Sequence, residues 1–344
     1  MTITISNPSN PTQNLSAGQV ALAPAPLLLA LLLLLPRAAM AAAAAAAASI
    51  GADGATTAPP PMPMQTLGRS GLVVSRLSFG SWVTFSFQVG ENDAYTLMKA
   101  AFARGVNLFD NAEAYARGAA ESIMGAAIQR GIDEKVWRRE DLVITTKLFF
   151  GAAPGAGASV NAKFLSRKHI VEGAAASLAR LNLAYVDVIY AHRPDPVTPI
   201  EETVRAFNHL LDTGKAFYWG TSEWSAAQIA EAVGVADRLG LVRPLVEQPE
   251  YNIFARTRVE AEYAPLYDSM GLGLTTWSPL ASGVLTGKYS GRKLPEGSRL
   301  TVPNYKFLLD AKACLLHTES ATAPPTSNRH NLTPALPPRH ARFV

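Results

Sequence analysis

The stretch NLFDNAEAYARG, Asn107 to Gly118, runs from a short apolar segment into Asp110 and then places Glu113 and Tyr115 within the next five residues. An ordinary surface turn needs only Gly, Asn or Pro to reverse the chain, so two acids and a phenol in this place ask for another explanation. The pattern around them recurs along the chain. Short β-branched and aromatic runs appear as RLSFGSW near 77, VNLFDNA near 107, DLVITTKL near 142, VDVIYAH near 186, AFYWGTS near 216, LVEQPEY near 246 and LGLTTWSPL near 272. Their starts lie about 26 to 44 residues apart, the length of a strand plus a crossover helix, so seven βα units with parallel strands are predicted.

The segments between the runs carry helical periodicity. After Asn92 as N-cap, Ala94, Leu97, Met98, Ala101 and Phe102 fall on one face, and Gly105 ends the helix. Thr198 is read as the cap of a second helix with Pro199 in its first turn, and Ser225 as the cap of a third that stops at Gly240. Ahead of the first unit, two short runs flank Arg69-Ser70-Gly71, a hairpin that would plug one end. Repeated βα units suit an open doubly wound sheet or a (β/α)8 barrel. The Gly-x-Gly-x-x-Gly fingerprint of a dinucleotide-binding first strand is absent, which favours the barrel.

With 344 residues, 48% of them hydrophobic, the chain can bury one large core. A single cysteine, Cys314, cannot pair within the chain and points to no oxidising compartment, in line with a cytoplasmic protein. The net charge of +4 is scattered, with no run of five Lys or Arg, and gives no nucleic-acid footprint. Residues 1–63 are rich in Ala, Leu and Pro and read as a low-complexity extension, with a leader as the alternative. The apolar run Val20 to Leu35 is broken by Pro24 and Pro26 and is short for a spanning helix.

In a barrel, the residues just past each strand share one rim. Asp110 and Tyr115 follow the second strand, Lys147 ends the third and His192 ends the fourth. A phenol is a poor proton donor to a carbonyl unless a cation lies beside it. Lys147 would supply that cation, Asp110 would hold it charged and oriented, and His192 would direct a hydrogen bond to the same oxygen. The four together describe acid-assisted hydride delivery to an aldehyde or ketone.

The segments LGRSGLVVSRLSFGSWVTF, FDNAEAYARGAAESIMG, ITTKLFFG, YAHRPDPVTPIEETVRAFNHLLDTGKAFYWGTSEW, EQPEYN and TTWSPLASGVLTGKY occur in order between Met64 and about Leu308. Over that span the chain resembles the aldo-keto reductase family, most closely the branch of voltage-gated potassium channel β subunits and their plant and microbial relatives. The resemblance implies a TIM barrel, NADPH as cofactor, a small-molecule carbonyl substrate, and a tetrad matched by Tyr115, Lys147, Asp110 and His192. It also implies a homo-oligomer and, as the alternative function, a regulatory ion-channel partner. The channel subunits tend to carry Asn where His192 stands, and histidine favours an ordinary reductase. By motif, Ser81, Trp82, Gln88 and Ser222 would line the nicotinamide end, Gln248 would bind its carboxamide, and Tyr251 would stack nearby. Trp277, Ser278, Pro279, Leu280, Ala281 and Gly283 would face the pyrophosphate, with Lys288 and Arg299 as cations toward the phosphates. In that branch an arginine commonly follows the motif serine; here Glu223 does.

After PEGSRLTVPNYKF the family pattern calls for a further helix, an eighth strand and a glycine-containing loop that clasps the adenosine. Residues 309–344 instead hold clusters of Pro, Thr and Ser that mark disorder. The expected architecture is therefore a barrel over 64–308 truncated to seven units, between disordered extensions. Its first and seventh strands would have open edges, and its cofactor clamp would be halved, so that an inactive product is a further alternative.

Overall fold

The computed structural model describes residues 2–5, 60–82, 85, 89–152, 159–289, 294–302 and 308. The expectations for the low-complexity extension beyond Ile5, for Gln88, for Cys314 and for the Pro-rich tail lie outside these residues. The chain begins with strand β1 (Thr2–Ile5), followed by a hairpin of β2 (Met64–Thr66) and β3 (Val73–Ser75). The βα units then run β4 (Leu77–Gly80), α1 (Glu91–Phe102), β5 (Leu108–Asp110), α2 (Ala119–Asp133), β6 (Val143–Leu148), α3 (Arg167–Leu181) and β7 (Val186–Ala191). They continue with α4 (Ile200–Asp212), β8 (Ala216–Thr221), α5 (Ala226–Leu239), β9 (Val246–Glu247), α6 (Ala264–Met270) and β10 (Gly273–Thr276).

Strands β4 through β10 pair with their sequence neighbours in parallel, the seven strands of an incomplete (β/α)8 barrel. Every residue of β6 and β7 is buried, as parallel strands covered by helices on one face and by the barrel interior on the other require. The outer layer packs by aromatic contact. Phe207 of α4 stacks on Trp219 of β8 with ring centres 5.0 Å apart and planes 6° from parallel.

The predicted pair of open edges does not form. β1 lies antiparallel between the first and last parallel strands, with Ile3 opposite both Thr276 and Leu77, and Thr2 opposite Ser78. The ring order β1-β10-β9-β8-β7-β6-β5-β4 is thereby closed. The physical reason is that two unpaired ladders are a template for any β-prone segment that reaches them, and Thr-Ile-Thr-Ile is wholly β-branched.

The hairpin plugs the barrel floor as expected. Leu67 and Val74 are fully buried against Leu108, Val143, Val188 and Val246, which lie toward the starts of their strands. The backbones touch there: a Cβ on Gly273 would lie 2.5 Å from the Gly68 nitrogen. The helix starts are shifted from their predicted caps in two places. Gly90, not Asn92, caps α1, and Pro199, not Thr198, stands at the cap of α4. Ser225 caps α5 as predicted, in a reciprocal box with Gln228, and left-handed Gly240 ends it. The described residues form two compact units, the barrel through Pro279 and the segment from Leu280 onward.

Candidate active site

Strand β6 ends at the rim with Lys147, whose side chain is completely buried. Its ammonium uses all three of its donors: on Asp110 Oδ2 at 2.6 Å, on the Asn111 carbonyl at 2.7 Å and on Tyr115 Oη at 3.0 Å. Asp110, the last residue of β5, is held in turn by Thr145 Oγ1 at 2.7 Å and Gln248 Nε2 at 3.3 Å, both on Oδ1. The chain leaves β5 through a loop whose Glu113 accepts the backbone N–H groups of Phe149 at 2.7 Å and Gly151 at 2.8 Å. Glu113 Oε1 also meets His169 Nε2 at 3.1 Å. Two residues on, Tyr115 is followed by three left-handed residues, Ala116, Arg117 and Gly118, that turn the chain into α2. Two of these are not glycine, and each costs on the order of 1–2 kcal/mol. Packing at the start of the unit holds the phenol where that turn puts it.

His192 follows β7, its ring edge-on to Tyr115 at 5.8 Å and to Phe150 at 5.2 Å. The Trp82 ring lies 6.4 Å from that of Tyr115, and Trp277 meets Trp82 edge-on at 6.2 Å. The tetrad read from the sequence is therefore brought together, with aromatic rings around it.

Burial pushes the Tyr115 hydroxyl above the ordinary phenol range, with Lys147 pulling the other way and Asp110 adding to the rise. The lysine alone does not make this phenol acidic, contrary to the simple expectation; it stays protonated through neutral pH. Burial opposes the Lys147 charge, but Asp110 and Tyr115 outweigh it and the ammonium is held above its ordinary range. His192 is driven well below the ordinary imidazole value by burial and by the nearby Lys147 and Arg193 charges, so it is neutral at pH 7. Its Nδ1 is buried without a partner among the described residues. An orphaned lone pair is tolerated more readily than an orphaned N–H, which assigns the proton to Nε2.

Of the residues matched to cofactor contacts, Ser81 is buried, its amide donating to the Asp110 carbonyl at 3.0 Å and its Oγ without a partner among the described residues. Ser222 Oγ donates to the Gln248 carbonyl at 2.8 Å, and Gln248 Nε2 also reaches Thr275 Oγ1 at 3.2 Å. Trp277, Ser278 and Pro279 follow β10, and Tyr251 donates its amide to the Trp277 carbonyl at 3.2 Å. Tyr251 Oη donates to Glu260 at 3.0 Å. Leu280, Ala281, Gly283, Lys288 and Arg299 belong to the second unit. There Ala281, Ser282 and Gly283 are left-handed in succession, and a Cβ on Gly283 would lie 2.6 Å from Lys288 Cε. Burial and the like charge of Arg299 lower the Lys288 ammonium. Consecutive left-handed amides and two neighbouring cations suit an anion.

Sequence reasoning missed Thr145, Thr275, Arg193 and the grip of Glu223. The two threonines lie two residues before Lys147 and Trp277, a spacing that puts them on the same strand face as those residues. Glu223 Oε1 accepts from the Glu250 amide at 2.6 Å and Trp277 Nε1 at 2.9 Å, and Oε2 pairs with Arg258. One carboxylate thus ties together the loops after β8, β9 and β10.

The family model described as "Aldo/keto reductase family" matches residues 76–321. A protein of Arabidopsis thaliana named "Probable voltage-gated potassium channel subunit beta" is 60% identical over 247 residues, 72% of this chain and 73% of that protein. One of the same name from Oryza sativa subsp. japonica is 59% identical over 247 residues, with the same coverage of 72% and 73%.

Proposed function

The chain belongs to the aldo/keto reductase family, a family of oxidoreductases that generally use NAD(P)H, and we propose that it reduces aldehydes or ketones to alcohols with NADPH. The observation that carries the reading is the buried Asp110–Lys147–Tyr115 chain, in which every lysine donor is committed and only the phenol proton is left to give.

The residues suit the cofactor as well as the chemistry. The unpartnered Ser81 Oγ, Ser222 and the Gln248 amide cluster beside the tetrad, and would hold a nicotinamide carboxamide. Within the second unit taken by itself, the left-handed run Ala281–Gly283 and Lys288 beside Arg299 suit an anion such as a phosphate. A reduced nicotinamide held beside the tetrad would supply a hydride to the carbonyl carbon. Tyr115 gives its proton to the carbonyl oxygen as charge develops there, and the resulting phenolate lies 3.0 Å from the Lys147 ammonium. Neutral His192 donates from Nε2 to the same oxygen and orients it. A proton from solvent then restores the phenol, so that one carbonyl, one hydride and one proton become one alcohol.

Titrating the purified chain with NADPH and with NADH, following quenching of tryptophan fluorescence, and assaying 4-nitrobenzaldehyde turnover tests this reading. Saturable NADPH binding, turnover, and loss of turnover in Tyr115→Phe with NADPH binding kept are expected. Absence of binding and turnover in soluble protein would overturn it. A second reading, a channel β subunit, is favoured by the names of the two plant relatives. It requires co-purification with a potassium channel's cytoplasmic domain, and light scattering on the chain alone reads whether it forms a homo-oligomer.

A further inference from the structure

Arg193 follows His192 at the end of β7, half-buried on the rim. Other partly buried arginines of the barrel meet carboxylates: Arg139 pairs with Asp187 at 2.8 Å, Arg180 with Glu121 at 2.7 Å and Arg258 with Glu223. Arg193 has no ion pair among the described residues. Its Nη1 donates to the His192 carbonyl and to Ser222 Oγ at 3.3 Å, and its guanidinium carbon lies 5.9 Å from the centre of the Phe150 ring. Two neutral acceptors, both on Nη1, and a ring face leave most of a five-donor fork without a partner among the described residues.

The position of this charge decides what it can do. Its field lowers both the Tyr115 and His192 titrations, so the guanidinium acts on the two groups that would hold a carbonyl oxygen. Phe150, 47% exposed, lies beside it, and the rings of Trp82, Tyr115, His192 and Phe150 offer flat apolar walls. A half-buried cation at the edge of an aromatic mouth matches a ligand with a planar apolar body and an anionic end.

We propose that Arg193 is a specificity-determining residue that receives the carboxylate of the carbonyl substrate, so that the preferred substrates are aromatic aldehydes bearing an acid group. This rests on the reductase reading above and deepens it. Arg193 donates to the carboxylate while the aldehyde oxygen is held by Tyr115 and His192. The long axis of the substrate then spans the rim from β7 toward β5.

The test compares 4-carboxybenzaldehyde with 4-nitrobenzaldehyde in the wild-type chain, Arg193→Gln and Arg193→Lys. Arg193→Gln is expected to lower the ratio of kcat/KM for the carboxylated aldehyde to that for the neutral one by about tenfold or more, the loss of one charge-assisted contact, on top of whatever change the two aldehydes share. Arg193→Lys restores part of the preference, and raising ionic strength raises the wild-type KM for the acid alone. Equal losses on both aldehydes would overturn the proposal, since they would mean that Arg193 only positions His192. A weakened NADPH Kd with unchanged discrimination would overturn it too, by assigning the cation to the cofactor. If the wild-type chain reduces neither aldehyde, the reductase reading fails. The carboxylate site is then still read by terephthalate quenching of tryptophan fluorescence, present in wild type and lost in Arg193→Gln; no quenching in the wild type would count against the site itself.

Discussion

Replacing Lys147 with methionine separates what this buried cation does for chemistry from what it does for the fold. The side chain has no solvent exposure and holds Asp110 Oδ2 at 2.6 Å and Tyr115 Oη at 3.0 Å. Methionine fills similar space but leaves the buried Asp110 carboxylate, among the described residues, with only the Thr145 and Gln248 side chains as donors. Breaking a buried pair from one side costs about 3–5 kcal/mol. For a unit of this size, roughly 2–4 °C per kcal/mol gives a fall in Tm of about 6–20 °C. On the chemical side, the phenolate loses one charge-assisted hydrogen bond, about 1.5–3 kcal/mol, which converts to a 10- to 150-fold loss in kcat. The two effects part in Lys147→Met/Asp110→Asn, where removing the stranded charge should recover several degrees of Tm but none of kcat. Thermal unfolding, NADPH titration and steady-state kcat with 4-nitrobenzaldehyde read the three quantities separately. A single variant with kcat within threefold of wild type would refute the idea that the lysine stabilises the transition state. A double variant no more stable than the single would refute the buried-pair account.

Because His192 is held neutral far below pH 6.5, kcat should show no inflection between pH 6 and 8, and it should fall only above the ordinary phenol range as Tyr115 loses its proton; a step near pH 6.5 that disappears in His192→Asn would contradict the assignment. Glu247 is buried and pushed up to about 8, first by desolvation and against its hydrogen bond from Thr221. The folded state thus keeps a proton that the unfolded chain loses near the ordinary carboxyl value. Its contribution is full below about pH 4.5 and is lost as pH rises through about 8, with a ceiling on the order of 4–5 kcal/mol. Glu247→Gln should flatten the decline of Tm between pH 5 and 8.5, and parallel curves for the two proteins would exclude this. Proline at Ile3 removes a ladder donor from β1, and hydrogen exchange should then quicken at Leu77–Ser78 and Leu274–Thr276 while β6 and β7 stay protected; unchanged exchange at those two strands would mean that β1 does not hold the seam.

The tetrad was legible because barrel topology converts a one-dimensional fact, being just past a strand, into a shared location. Asp110, Lys147 and His192 each end or follow a strand, and the fold does the rest. What surrounds them was not legible, for reasons that differ by residue. Thr145 looks like β-propensity until Asp110 is seen to need a second donor. Glu223 is only a charge after a serine until three loops close on its carboxylate. The direction of the Tyr115 shift depends on how far burial outweighs one lysine, a balance of magnitudes that spacing does not contain. Asn92 was read as a helix cap because its side chain can accept from the backbone, whereas its carboxamide oxygen accepts from Arg130 at 3.1 Å and the helix starts two residues earlier than that cap implies.

The seam of the barrel separates two tasks that a βα unit ordinarily performs together. A parallel strand closes the ladder and also delivers a loop to the rim where the chemistry occurs. β1 closes the ladder in the opposite direction, Ile5 opposite Leu274 and Ile3 opposite Thr276, so its upstream end is the one that points to the rim. Such a strand satisfies backbone groups of β4 and β10 while running away from the rim that carries Ser81 and Trp277. Closure of the sheet and placement of the tetrad then depend on different strands, β1 for the one and β5, β6 and β7 for the other. Weakening β1 with proline should loosen the seam first, lowering Tm while the NADPH Kd stays unchanged. If instead the substitution moved Tm and Kd together, the seam and the tetrad would be one cooperative structure, and the division of labour argued from the strand direction would be wrong.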